Sequence, residues 1–223
     1  MKYKRYLFAI MIIVLFFSSF VIIYGKINLK HIDYNYYINN SMYSFDQKDD
    51  YKNMFKNSEK IFTEDLDINK VINFSDYILV VKNIKNPIMY GEGIINICEV
   101  KKVLKGNNLK ANDLIKIYDL EYYWADFSTD YLDGSTPLKK NEEYLVFIKK
   151  TPQPSMNDTY VFSSTKYGHI NINNHKYLKD YENYTKPIKT ISNYDYVFSK
   201  NYLLYDVEQY EKNVNFSLNK YIK

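Results

Sequence analysis

Apolar positions fall into three kinds of run along this chain. The first is continuous: Tyr6 to Tyr24, YLFAIMIIVLFFSSFVIIY, holds 19 residues without a charge. As a helix rising ~1.5 Å per residue it reaches about 28 Å, close to the thickness of a bilayer core. The second kind is short and β-branched or alternating. YILVVKNI at 77–84 reads as a strand of the sort buried on both faces or at a barrel seam. GIINICEVKKVL at 93–104 carries apolar residues at 95 and 97 and then at 98 and 100. That slip of one predicts a β-bulge between those pairs, bending a long strand around a barrel corner. DLIKIYDL at 113–120 alternates, YLVFIKK at 144–150 is a strong strand, and TYVFSS at 159–164 and GHINI at 168–172 are shorter ones. The third kind has helical spacing. Asp67 is placed to cap a short helix through Ile68, Val71 and Ile72. Leu203, Val207, Tyr210, Val214, Leu218 and Tyr221 recur at steps of three and four, one apolar stripe on a helix of about five turns that is predicted to pack on the domain.

The polar gaps divide the chain. Residues 1–5 form a basic n-region, 6–24 a transmembrane signal anchor, 25–65 a polar spacer, 66–174 the strand-rich domain, and 175–223 a C-terminal extension ending in the amphipathic helix. Within the spacer, one or two helical turns around Asp50 to Phe62 are open. Glu121 to Thr136 reads as a long polar and aromatic connection. Lys2, Lys4 and Arg5 precede the apolar run, while Lys26 and Lys30 are sparser behind it. Positive charge is retained inside, so the N-terminus is placed in the cytoplasm and the domain outside, on a single-pass cell-membrane protein. A cleaved signal peptide is the rival reading. It calls for a shorter apolar region and a small-x-small site, for which only Ile23-Tyr24-Gly25 or Ser18-Ser19 could serve.

These runs give a mainly β fold class. The expectation is a five- to six-stranded OB-like barrel with a short helix before it and a C-terminal helix after it, plus one N-terminal transmembrane helix. SDYILVVKNI, INICEVKKVLKGNNLKANDLIKIY, LKKNEEYLVFIKK and YVFSSTKYGHINI together resemble the netrin-like domain of tissue inhibitors of metalloproteinases and, more closely, uncharacterised surface proteins of Gram-positive bacteria. The resemblance covers about Ser75 to Ile172 and rests on core strands and turns, so it implies a fold. In the inhibitors a free N-terminal cysteine at the start of the domain chelates the protease zinc, and disulfides staple the barrel. Residues 66–76 hold no Cys here, so that mechanism does not carry over.

Composition narrows the function. The net charge of +4 includes three N-terminal charges ahead of the apolar run, leaving 27 basic against 26 acidic residues behind it. From Asp76 to Asn173 there are 12 Lys and 12 acidic residues, without the clustered positive charge that displaces counterions from phosphate. Nucleic acid is not an expected partner; a protein or cell-envelope component is. The 26 Tyr and many Asn beside only 6 Gly read as the bias of an AT-rich genome. Cys98 is the single cysteine and sits between apolar residues, as a buried inert thiol does. His31, His169 and His175 have no zinc-site spacing and read as surface or turn residues. No GxSxG nucleophile elbow and no glycine-rich phosphate loop occurs, so no enzyme activity and no cofactor are expected.

One stretch stands apart. In EYYWADFSTDYLDGS the aromatic residues Tyr122, Tyr123, Trp124, Phe127 and Tyr131 interleave with acids. Barrel loops of this kind form binding faces in OB folds, and aromatic platforms beside carboxylates suit sugars or peptides. These five are the candidate ligand-binding residues; the alternative is that Trp124 and its neighbours close the barrel end. Asp126, Asp130 and Asp133 raise calcium, but their spacing fails the alternate-residue EF-hand pattern. Glu121, Asp126 and Asp130 are the acids an envelope hydrolase would use. A structural accessory subunit docking through the C-terminal helix is the third class.

Overall fold

The computed structural model describes residues 18, 34, 42–46, 68–90, 93–119, 122–123, 128–132, 134–151, 158–182, 185–199 and 204–223. Its elements in chain order are β1 (Met42–Asp46), α1 (Ile68–Phe74), β2 (Tyr77–Asn83), β3 (Ile88–Tyr90), β4 (Gly93–Lys105), β5 (Leu114–Asp119) and β6 (Tyr122–Tyr123). There follow β7 (Ser128–Leu132), β8 (Glu143–Lys150), β9 (Thr159–Phe162), β10 (His169–Asn171), β11 (Tyr177–Tyr181), α2 (Ile188–Ile191), β12 (Tyr196–Ser199) and α3 (Leu204–Tyr221). The anchor predicted over 6–24 lies outside the described residues apart from Ser18, which is helical. Among the described residues no helix is long and apolar enough to cross a membrane. The Asp67 cap and the helical turns at 50–62 also lie outside them.

The predicted strands close into a five-stranded barrel. The order around it is β8–β2–β4–β5–β9 and back to β8, antiparallel throughout except for the parallel β5–β9 pair. Along one edge β8 serves two partners: Tyr144 to Val146 pair with β10, and Ile148 to Lys150 with β9. The barrel is filled by alternate inward residues, among them Leu79, Val81, Cys98, Val100, Ile117, Val146 and Phe162, with Leu138 inserted from the segment before β8. A second core lies on the outer wall of β2 and β8. There Ile78, Leu145 and Phe147 are covered by Ile68, Val71 and Ile72 of α1, by Tyr196 and Phe198 of β12, and by Val207, Tyr210 and Val214 of α3. The C-terminal stripe therefore packs on the barrel as its spacing predicts.

Polar bonds hold the same layers. Lys105, at the end of β4, donates to the carbonyls of Ile72, Asn73 and Ser75 at 2.8, 3.2 and 2.7 Å, satisfying the groups that α1 leaves free at its C-terminus. The buried carboxylate of Asp195 accepts from Lys139 Nζ at 2.8 Å and from the Lys176 N–H at 2.7 Å, joining the segment before β8 to the segments leading into β11 and β12. Gly134 sits at φ +67, where a Cβ would collide with the Val197 carbonyl, so this close crossing requires glycine.

Three expectations are corrected. The bulges of β4 lie later than the apolar slip implies, at the register shifts opposite Ile78/Leu79 and Val80/Val81. Ile94, Asn96, Cys98 and Val100 are all buried in unbroken alternation, whereas Ile95 and Ile97 are half-buried on the outer face. Apolar identity and inward direction part company there, because a polar Asn96 points in. The region read as a polar spacer contributes β1, which pairs in parallel with β7. The segment read as a connection, Glu121 to Thr136, contains β6 and β7, an antiparallel pair that joins β1 in a three-stranded sheet. Backbone pairing between distant segments leaves no local period to read.

Candidate functional site

The outer faces of the barrel differ. The wall of β2 and β8 is covered, but the wall of β3, β4 and β5 carries three of the four large apolar side chains that are exposed among the described residues: Ile88 at 51%, Tyr90 at 51% and Leu114 at 67%. Directly opposed residues of an antiparallel pair share a face. Ile88 faces Ile95, which faces Tyr118; Ile97 faces Lys116; Glu99 faces Leu114. Tyr90 and Tyr118 meet edge to face at 6.2 Å and 87°. A side chain on Gly93 would strike the Tyr118 ring and the Asp119 carbonyl, so Gly93 lets that ring lie across the strand. The result is an apolar and aromatic strip crossed by Lys116, which lies between Tyr118 and Leu114 on β5, with Glu99 opposite Leu114.

The strip adjoins the segment singled out by its aromatic density. β5 ends at Asp119 and β6 begins at Tyr122, so the hairpin leaves from the same end of the barrel. Tyr122 is registered with Asp130, Tyr123 with Thr129, and Tyr131 with Phe45 of β1. Backbone pairing thus brings Tyr122, Tyr123, Asp130 and Tyr131 into one small sheet. Trp124, Phe127, Asp126 and Asp133 lie outside the described residues. Among the described residues no group of three or more His, Cys, Asp or Glu is placed to hold a metal.

Inside the barrel, at the same end, three polar side chains interrupt the core. Asn83, Asn96 and Asp119 are buried at 0%, 0% and 7% exposure. The Asn83 amide donates to the Leu138 carbonyl at 2.9 Å, but among the described residues its Oδ1, both side-chain polar atoms of Asn96, and Asp119 Oδ2 have no hydrogen-bond partner. Burial holds the Asp119 carboxyl far above the usual range, at about 7. Burial likewise pushes the Cys98 thiol up to about 12, which makes it inert as expected.

The histidines are corrected: His169 is buried, not a surface residue. Its ring lies 5.6 Å from Tyr144 and 5.2 Å from Phe162. Desolvation lowers its pKa to about 4, against the opposing pull of Asp195, so it is neutral. His175 is also shifted down by burial; its Nε2 lies 3.1 Å from the Tyr210 hydroxyl and its Nδ1 3.9 Å from Asp195 Oδ2. These groups belong to the seam between barrel and C-terminal extension. No family model matches the chain. No curated protein matches it either.

Neither the exposed strip nor the buried polar triad is evident from the sequence on its own. The one available signal was phase: reading β4 as a single alternation from Ile94 to Val100 puts a polar Asn96 among inward residues.

Proposed function

We propose that this protein is a non-catalytic interaction module, an OB-like (netrin-like) barrel held outside the cell membrane by the 6–24 segment, which binds a protein or cell-envelope partner on its β3–β4–β5 face. Three lines support the reading. The barrel strands, taken in chain order, close as first, second, third, fifth, fourth, with third and fifth parallel, which suits a five-stranded Greek-key barrel of the OB type. In such barrels the second and third strands and the loop between the first and second form the ligand face, and here these are β4, β5 and the segment carrying β3. The charge-free run of 6–24 with its basic flank supports the anchor and its direction.

The observation that carries the proposal is the concentration of Ile88, Tyr90 and Leu114 on that one uncovered face. A strip of apolar and aromatic side chains with few charges suits the buried centre of a protein interface, where Tyr is enriched and charge depleted. The hairpin from Tyr122 to Tyr131, with Trp124 and Phe127 in its connection, extends the same end of the barrel and forms the second part of the binding region in this reading.

The test is a crosslinking pull-down from intact cells expressing the full-length protein. Tyr90→Asp with Leu114→Asp is expected to remove the crosslinked partner while shifting the melting temperature by only about 2 °C, since both side chains are already half or more exposed. Trp124→Ala is expected to weaken the same crosslink. Retention of the partner by the double variant would move the interface away from this face.

A further inference from the structure

We propose that the mouth of the barrel, where β2 and β5 end and β4 begins, binds a primary ammonium group held by Asn83, Asn96 and Asp119. The inference concerns the barrel interior and stands apart from the outer face. Register brings the three residues together. Asn83 is paired with Cys98 and Asp119 with Ile94, so Asn96, midway between Ile94 and Cys98, is the diagonal neighbour of both. Such neighbours have Cα atoms ~7–8 Å apart, within reach of one small group held between their side chains. Burial of all three on the inner side of their strands is matched by buried Cys98 and Ile117 beside them.

The chemistry of the unpartnered atoms selects the ligand. Asn83 Oδ1, Asn96 Oδ1 and Asp119 Oδ2 are three acceptors, and Asn96 Nδ2 supplies two N–H donors. Buried polar groups without partners are rare in native structures and each lowers stability, so a set of four in one place points to something that fills them. A primary ammonium carries three N–H donors and one positive charge, matching three oxygens and one carboxylate. A water molecule donates only two hydrogen bonds and leaves an oxygen unmet. Calcium takes six to eight oxygens and more negative charge than one carboxylate supplies. An anion meets three acceptors and is repelled. The two N–H donors of Asn96 Nδ2 are left for acceptors on the same molecule, such as a hydroxyl or carbonyl near the amine. Entry is past Asp119, the one member of the set that retains some exposure.

The experiment is thermal unfolding of the full-length chain in detergent micelles, titrated with methylammonium chloride and, at matched ionic strength, with tetramethylammonium chloride, which has the charge but no N–H donor. The midpoint is expected to rise saturably with methylammonium and not with tetramethylammonium. Asn96→Leu and Asp119→Asn are each expected to weaken that response tenfold or more. Should either variant fail to fold, side-chain amide NMR of the unaltered protein decides. The Asn83 and Asn96 amide signals shift with methylammonium and not with the tetramethyl ion if the proposal holds. Equal responses to the two ions, or none to either, would leave a water-filled mouth and overturn it. An Nα-acetyl-lysine amide that binds more tightly than methylammonium would assign the group to a lysine side chain of a protein. The reverse order would assign it to a small free amine, the ammonium chemistry standing in both cases.

Discussion

Tyr210→Ala is expected to lower the unfolding free energy of the chain by about 3–5 kcal/mol, the range for deleting a fully buried large aromatic residue. Tyr210 is 1% exposed and sits where the layers meet. Its ring stacks on Tyr196 at 4.6 Å and on Tyr167 at 5.4 Å and meets Phe198 edge-on at 5.2 Å. Its hydroxyl shares a hydrogen bond with His175. Tyr210→Phe keeps the stack and loses that bond, so about 1 kcal/mol is expected. Denaturant unfolding of the two variants beside the unaltered chain measures both. A Tyr210→Ala loss below 1 kcal/mol would mean that α3 does not close the second core.

Asp119→Asn is expected to do the opposite at neutral and alkaline pH, and to stabilise the protein. The folded-state pKa of Asp119 stands at about 7 against an ordinary 3.8, because its burial disfavours the charged carboxylate. A raised pKa means that the folded chain binds this proton more tightly than the unfolded chain. The associated stability is fully present below pH 3.8 and is lost as pH rises to about 7. Over that window the loss is on the order of 4 kcal/mol, at 1.36 kcal/mol per unit. The variant should therefore match the unaltered chain near pH 4 and exceed it by a few kcal/mol at pH 8.

His169 runs the other way. Its pKa falls from 6.5 to about 4, so the stability it contributes is present above pH 6.5 and is lost as pH falls toward 4. Between those limits the two groups oppose each other, and replacing Asp119 exposes the His169 slope. Unfolding at pH 4, 6 and 8 checks this; a difference between variant and unaltered chain that does not change with pH would show that Asp119 titrates normally. A carboxyl that weakens its own fold at neutral pH is consistent with a side chain retained for binding, as the ammonium site requires.

The barrel was legible because its strands are β-branched runs whose burial repeats along the chain, as in YILVV and EYLVF, and α3 was legible because its stripe keeps helical spacing over 18 residues. What failed were inferences from residue identity to direction. Ile95 and Ile97 are apolar yet face out, and Asn96 is polar yet faces in, so the bulge was read too early in β4. Asn content taken as compositional background proves partly conformational. Asn108, Asn112 and Asn141 hold φ values of 72, 71 and 67, a left-handed region that Asn enters more readily than most residues. The tyrosines are likewise structural: Tyr144, Tyr167, Tyr196 and Tyr210 are among the largest fully buried side chains.

The proposed binding region was legible only at its edge. Aromatic density directed attention to Tyr122, Tyr123, Trp124, Phe127 and Tyr131, and β6 and β7 bring the first two and the last into one small sheet that follows β5 in the chain. The strip itself was hidden. Ile88, Tyr90 and Leu114 look in sequence like any other strand residues, and their exposure follows from which wall α1, α3 and β12 cover.

Site-specific photocrosslinking on intact cells tests the central claim most directly. A photoreactive residue is placed in turn at the positions of Tyr90, Leu114 and Phe216, the last being the exposed apolar side chain on α3. The account predicts adducts of one common mass from the first two positions and none from Phe216. Adducts from Phe216 alone would show instead that the protein meets its partner through the C-terminal helix and that the β3–β4–β5 face is not its binding surface.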